Sequence, residues 1–474
     1  MTMASSSDPA NKFLLQDEQR TTFTESYTFD SDMIHSTRDI DAPSDSEAGI
    51  TKTQSTKESY DSIEYYSFLL IGIAMLWPWN CFLSAAAYFQ ERFKSSDFLR
   101  ENFQSCIMTT STITATVAMI VLSYQQKHAK YTFRVWLALV MNIINFFILA
   151  LTSITGSSWA ITPYFIYILV SVFFSALATS LSQNGAFAIA NLFAPMYTQG
   201  IMVGQAVAGV LPSIAQILSV ITVESTRSGG RDRQAGEGEA TSTSSFIYFL
   251  TASGITTISM LFFLKFYRKQ RAVINLAGTI DGDNNDARQP TRRHIPLLVL
   301  FRKLHYLAFA VFYTFGVTMM FPVFASNILS VNYTEGVSPP GSWLRPSVYI
   351  PFAFLIWNVG DLIGRVICGY PQYNIRSPKA LAVASLARTI FIPLFFLCNV
   401  PGSKAAISSD GFYIFLQLWF GITNGYISSC GMMASESFVE DDEKEAAGGF
   451  MGLALNLGLA AGSLCSFILV GIIE

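Results

Sequence analysis

From Tyr66 onward the chain is a succession of apolar stretches, each long enough to cross a bilayer, and that succession constrains the fold more than any motif does. A hydrocarbon core of about 30 Å takes ~20 apolar residues per helix. By that ~20-residue measure roughly eleven segments follow one another. They are Tyr66–Phe89, Ser105–Tyr124, Phe133–Leu151, Thr162–Ser182, Met196–Val223, Phe246–Phe266, Leu304–Leu329, Ser347–Gly369, Pro378–Cys398, Phe412–Met433 and Ala446–Ile473. The fold class this predicts is an all-α integral membrane protein. Hydrophobic residues make up 51% of the 474 and charged residues only 13%, too apolar a balance for a soluble enzyme of this size. The formal net charge of −3 offers no basic surface for a polyanion, which argues against nucleic acid as a partner.

Residues 1–65 are rich in Ser, Thr and Asp and poor in aliphatic residues. They cannot bury enough surface to offset the entropy of ordering, and they read as a disordered tail. The start has no basic stretch followed by an apolar core, so the first span is expected to act as the insertion signal. The basic, Asn/Asp-rich stretch over residues 267–303 divides the spans six plus five. This predicts an N-terminal bundle over 66–266, a linker, and a C-terminal bundle over 304–474.

Lys and Arg concentrate in cytoplasmic loops. Lys127, Lys130 and Arg134 lie between spans two and three, and Arg268, Lys269, Arg271, Arg288, Arg292, Arg293 and Arg302 between spans six and seven. Both connections fall on the side of the tail, which predicts a cytoplasmic N-terminus and an extracellular or lumenal C-terminus. The sequon Asn332-Tyr333-Thr334 then faces outward, making Asn332 a glycosylation candidate. Residence in the plasma membrane or in a vacuolar or lysosomal membrane fits equally.

In "FLIWNVGDLIGRVICGY", Asp361 and Arg365 are four residues apart and share one helical face. Two readings are open: an ion pair that locks helices together, and the polar wall of a solute path. Asn358 and Phe354 extend the stripe, so that an acceptor, a donor fork, an amide and a ring stand in line. That set suits a polar solute with an aromatic face and hydroxyls. Gln183, in "SLSQNG" near the end of span four, can serve a helix-to-helix hydrogen bond or a solute. Three roles are open to Arg388 in "SLARTIFIP": to pair, to snorkel, or to line the pathway. Small-residue pairs such as Gly204 with Ala208, Gly360 with Gly364, Gly448 with Gly452 and Gly458 with Gly462 predict close helix crossings.

Six cysteines stand singly with no C-x-x-C pair, and the four histidines lie in tail, loops or a span's edge, so no metal site is expected. No Walker loop, G-x-S-x-G or H-E-x-x-H occurs, which points away from an enzyme and from any cofactor. Movement of a solute must then draw on its own gradient or on a coupled ion, protons included.

Six segments, taken in order, resemble the equilibrative nucleoside transporter family: "LWPWN", "GQAVAGVLPS", "MMFPVFASNI", "WNVGDLIGR", "FGITNGYISS" and "EAAGGFMGLALNLGLAAGSLCSF". The resemblance implies eleven spans arranged six plus five, like a major facilitator lacking its final helix. It also implies passage of nucleosides such as uridine or adenosine, and sometimes nucleobases, by alternating access, with proton coupling in some members. The partners implied are small-molecule nucleosides and the lipid bilayer, and nothing points to an obligate protein partner. By the same resemblance Asp361 and Arg365 match a charged pair that binds ribose hydroxyls, with Asn358 and Phe354 at neighbouring cavity positions. Gln183 matches a glutamine that contacts the base, Leu76, Trp79 and Leu83 match first-span cavity positions, and Phe321 matches a seventh-span lining residue. Asn424, inside the tenth-span match, is a structural or gating candidate, and Trp77 stands where an aliphatic residue is usual.

"LWPWN" itself is costly, since a proline in an ordinary helix interior costs about 3 kcal/mol. A bend at Pro78 frees a carbonyl for a neighbouring helix to satisfy, and Asn80 can hydrogen-bond across to another span. The two read as kink and latch. Two alternatives stay open: a major-facilitator-like carrier of another small polar solute, and a receptor that senses a ligand without moving it.

Overall fold

The computed structural model describes residues 62–126, 129–155, 159–228, 237–277, 295–333, 343–400 and 405–473, which are almost entirely helical. The expected tail up to residue 61 and the middle of the expected linker, 278–294, lie outside the described residues. The helices are α1 (Ser62–Ser84), α2 (Ala86–Arg92), α3 (Asp97–Tyr124), α4 (Tyr131–Thr155), α5 (Ile161–Ala190), α6 (Pro195–Ser228) and α7 (Glu237–Ala277). They continue as α8 (Leu297–Thr318), α9 (Phe321–Asn327), α10 (Pro346–Ile367), α11 (Pro378–Ala387), α12 (Phe391–Phe396), α13 (Asp410–Ala434) and α14 (Lys444–Ile473).

All eleven expected segments fall on helices. Among the described residues, nine helices are long and apolar enough to cross a membrane, and α6 and α13 stand outside that set. The polar content of α13 is evident: Gln417, Asn424, Ser428 and Ser429 are all buried along it. Side-chain caps set several starts. Ser96, Ser377 and Ser409 each precede a helix and accept from the backbone N–H of Leu99, Ala380 and Phe412.

Two boundaries differ from the sequence reading for one reason. α1 begins at Ser62 and α7 runs on to Ala277, because the buried carboxylate of Glu64 joins them. It accepts from Tyr197 Oη at 2.7 Å and Gln270 Nε2 at 2.6 Å, and pairs with Lys269 at 3.0 Å. Residues 62–65 therefore belong to the first helix, and the linker begins later than expected. The seventh segment is broken at Met319–Met320 between α8 and α9, and the ninth at a 3-10 turn, Arg388–Ile390, between α11 and α12.

The buried apolar side chains divide in a way that defines the conformation. On the face where α1 begins, here the tail face, one core takes in Phe68 of α1, Phe187 of α5, Leu304 of α8, Met433 of α13 and Met451 of α14. On the opposite face there are two cores. One holds Phe82, Phe146, Tyr164 and Phe249 from the first six segments, and the other Phe324, Tyr349, Phe395 and Tyr413 from the last five. The apolar cores of the two groups of helices thus merge at the tail face and are separate away from it.

Contact between the groups runs through α6 against α10 and α14 against α5 and α3. The small-residue pairs are where helices cross. A side chain added at Gly448 would lie 2.3 Å from the Phe187 carbonyl oxygen, and one at Gly360 would lie 2.4 Å from that of Leu418. Gly254, by contrast, meets nothing within 4 Å. Gly360→Ala is accordingly expected to cost about 1–3 kcal/mol through overpacking, and Gly254→Ala to add about 0.5–1 kcal/mol. Melting temperatures of the two variants in detergent check both signs.

Candidate functional site

Helix α6 lies between α1 and α10, and the polar residues of all three meet along it. Pro212 sits inside α6 and has no N–H to give to the carbonyl of Ala208, four residues earlier. That carbonyl is not left orphaned. Asn80 of α1 donates to it from Nδ2 at 2.7 Å, and to the Leu76 carbonyl of its own helix at 3.0 Å. Pro78 lies inside α1 in the same region, where Thr179 of α5 donates to the Met75 carbonyl at 3.3 Å. One residue beyond Ala208, the absent side chain of Gly209 leaves room for Asn358 of α10, whose Oδ1 is 2.3 Å from where a Cβ would stand. Asn358 donates to Ser213 Oγ of α6 at 3.1 Å and to the Phe354 carbonyl at 2.9 Å.

One and two turns further along α10 are Asp361 and Arg365, 3% and 4% exposed. Arg365 Nε lies 2.8 Å from Asp361 Oδ2. Its Nη1 crosses to α6, donating to the Met202 carbonyl at 2.6 Å and to Gln205 Oε1 at 3.3 Å. Gln199 returns the contact, donating from Nε2 to the Arg365 carbonyl at 3.0 Å. The other oxygen of Asp361 accepts from Asn424 Nδ2 of α13 at 2.7 Å. The pair therefore bonds within its own helix, to α13 and to α6, so it ties helices together at the junction of the two groups.

Phe321 packs its ring edge to Phe354 at 4.9 Å and stacks on Trp357 at 4.6 Å, an aromatic cluster on the far side of Asn358. Gln183 lies apart, buried on α5 against Gly452 of α14, with its Nε2 lacking a partner. Leu76 and Trp79 are half-buried and Leu83 is 38% exposed. Trp77 turns to α7, where its indole N–H donates to Thr251 at 3.3 Å. Asn332 is exposed and donates to Asp410 Oδ2 at 2.9 Å, beside Ser330 at 2.7 Å, while Thr334 of the sequon lies outside the described residues. All six cysteines are free.

Sequence reasoning passed over Gln199, Gln205, Thr318 and Trp357. Gln205 stands inside "GQAVAGVLPS", and two amides six residues apart in an apolar helix were the available signal. Trp357 immediately precedes Asn358, and its buried indole N–H has no partner.

An all-helical, membrane-spanning chain with a charged pair buried where two groups of helices meet defines a multi-pass carrier of major-facilitator-like arrangement. The fold agrees with solved structures. A bacterial homologue of the iron transporter ferroportin, in an outward-facing state, aligns with a TM-score of 0.53 and 12% identity over 87% of this chain and 98% of its own. The human organic anion transporter MFSD10 aligns with a TM-score of 0.50 and 13% identity over 87% and 95%. At that identity the likeness is one of fold alone.

The family is settled by sequence: residues 169–471 match the family described as Nucleoside transporter, and the chain belongs to it. The nucleoside transporter FUN26 of Saccharomyces cerevisiae is 34% identical over 88% of this chain and 86% of its own length. Human equilibrative nucleoside transporter 1 is 24% identical over 90% of this chain and 100% of its own.

The Asn80 bond makes a specific demand. If Asn80 serves the carbonyl that Pro212 leaves unpaired, Asn80→Ala costs about 1–3 kcal/mol in the parent. It costs much less in a Pro212→Ala background, where the backbone supplies its own donor. A double-mutant cycle on thermal stability is expected to show a coupling of about 0.5–3 kcal/mol, and additive effects would contradict the assignment.

Proposed function

We propose that this protein carries nucleosides across its membrane by alternating access, and that the arrangement closed at the tail face is one end of that cycle. The observation that carries the reading is the Asp361–Arg365 pair, buried at the contact of α10 with α6 in a chain of the nucleoside transporter family. A nucleoside combines a flat base with a ribose whose hydroxyls donate and accept. Asp361 accepts, and Arg365 donates, so together they complement a ribose. Phe321, Phe354 and Trp357 offer ring faces close to the base end, with Leu76, Trp79 and Leu83 across on α1 and Gln183 contributing an amide N–H. Binding exchanges some of the present partners of the pair for hydroxyls. Opening the tail face then requires Arg365 to release the Met202 carbonyl.

The cationic residues support a tail facing the cytoplasm. Lys130 precedes α4, Lys265, Arg268 and Arg271 close α7, and Arg302 and Lys303 open α8, all on the tail face. The C-terminal end of α14 is then extracellular or lumenal. We assign the protein to the plasma membrane or a vacuolar or lysosomal membrane, which localisation of a fluorescent fusion with the intact tail decides.

Flux of labelled uridine and adenosine into proteoliposomes tests the function. Saturable uptake is expected. Binding without flux would identify a ligand sensor, and flux of other polar solutes in place of nucleosides would identify a different carrier. A charge-assisted hydrogen bond is worth about 1.5–3 kcal/mol, or roughly 10- to 100-fold in affinity. Asp361→Ala is therefore expected to lose most nucleoside flux while still inserting into the membrane, and normal transport by this variant would refute the role of the pair.

Asp361 is held in this state by the Arg365 charge at Oδ2 and by the Asn424 amide at Oδ1. That supports downhill movement, in which an imposed pH gradient leaves uptake unchanged. Accumulation driven by the gradient would instead establish proton coupling.

A further inference from the structure

Arg388 is the largest of the fully buried side chains, 1% exposed, in the 3-10 turn that interrupts the ninth segment. Among the described residues no carboxylate lies within ion-pair distance of it, Asp361 being paired to Arg365. Neutral acceptors surround it instead. Nε donates to Thr423 Oγ1 at 3.2 Å, Nη1 to the Thr314 carbonyl at 2.6 Å and Nη2 to the Phe420 carbonyl at 3.2 Å. Nη1 and Nη2 both reach Thr318 Oγ1, at 3.3 and 3.2 Å, and the guanidinium lies 4.6 Å over the Phe420 ring.

The direction of these bonds matters more than their number. A guanidinium can only donate, so the Thr318 hydroxyl must accept from it and has one hydrogen of its own to pass on. Two acceptors are in reach of that hydrogen: the Thr314 carbonyl at 2.8 Å, which Arg388 also uses, and Asn424 Oδ1 at 2.6 Å, the shorter contact. Giving it to Asn424 turns the amide oxygen toward Thr318 and the amide N–H toward Asp361, where Nδ2 stands 2.7 Å from Oδ1. A carboxylate only accepts, so both ends of the chain agree on its direction. Donors run one way from Arg388 through Thr318 and Asn424 to Asp361, and Arg365 meets the same carboxylate from the other side.

We infer that Arg388 is a positioning residue for the substrate site: through Thr318 and Asn424 it orients the Asp361 carboxylate for the hydroxyls of the ribose. This rests on the reading of Asp361 as the ribose acceptor. A carboxylate held from both sides keeps one rotamer, and its remaining lone pairs keep one direction. A purely structural Arg388 would pin α8, α11 and α13 together without affecting which sugars are preferred.

The test uses the full chain in proteoliposomes and compares uridine with 2′,3′-dideoxyuridine. Arg388→Lys keeps the charge but not the fork that serves four residues at once. Thr318→Val removes only the hydroxyl that relays the direction, and retains a fold check if the buried arginine cannot be replaced. Both variants are expected to raise KM for uridine by roughly tenfold, the cost of one net hydrogen bond, with maximal flux little changed. KM for the dideoxy analogue is expected to stay put, so that discrimination between the two sugars shrinks. Equal changes for both solutes, or a fall in maximal flux with KM unchanged in Thr318→Val, would overturn the inference. A parent protein with no saturable uridine flux would instead overturn the transport reading itself.

Discussion

Arg365 is the residue on which the two groups of helices depend where they meet. Its guanidinium spans from the Asp361 carboxylate, 2.8 Å from Nε, to the Met202 carbonyl of α6 at 2.6 Å. In water such bonds exchange freely with solvent. Inside hydrocarbon every polar group must find its partner within the protein, so removing one acceptor leaves a buried charge rather than a hydrated one. The apolar core that unites both groups at the tail face surrounds this junction, and Gly448 against Phe187 closes the second crossing at the same face. Asn191 of α5 adds a polar tie there, donating to Ser435 Oγ at 3.1 Å.

The same rule explains Pro212, which withholds one N–H from its helix while the structure supplies the missing donor from a side chain on a neighbour. Asn80 does this for the Ala208 carbonyl that Pro212 leaves free. Two residues that each look unfavourable for a membrane helix, a proline on α6 and an asparagine on α1, are complementary once the helices pack. That complementarity fixes the register of α1 on α6, and Asn358 fixes that of α10 on the same stretch through Gly209 and Ser213.

The sequence made the helical, membrane-spanning fold legible because apolar length is a local property. The stripe from Phe354 through Asn358 and Asp361 to Arg365 was legible for a related reason, since spacing on one helix decides which residues share a face. Partners across helices were not legible in this way. Nothing near Asn80 indicates that its acceptor lies on α6, and nothing near Arg388 indicates that four neutral acceptors from α8 and α13 would enclose it. The early start of α1 was hidden because Glu64 looks like a tail residue until Gln270, Lys269 and Tyr197 are brought to it by folding. Gln183 stands out by residue type, but its neighbour across the helices, Gly452 of α14, is indicated by nothing in its own segment.

The central claim is that the contact of the two groups at the tail face must open for a nucleoside to pass. Cysteines in place of Asn191 and Ser435, whose side chains touch across that face, allow it to be locked by oxidation. The measurement is uridine flux through the reconstituted double variant, oxidised and then reduced, with the parent protein and its six native cysteines taken through the same treatment. The account predicts that the cross-linked variant loses nearly all flux and that a thiol reductant restores it. Undiminished flux with the cross-link in place would contradict it.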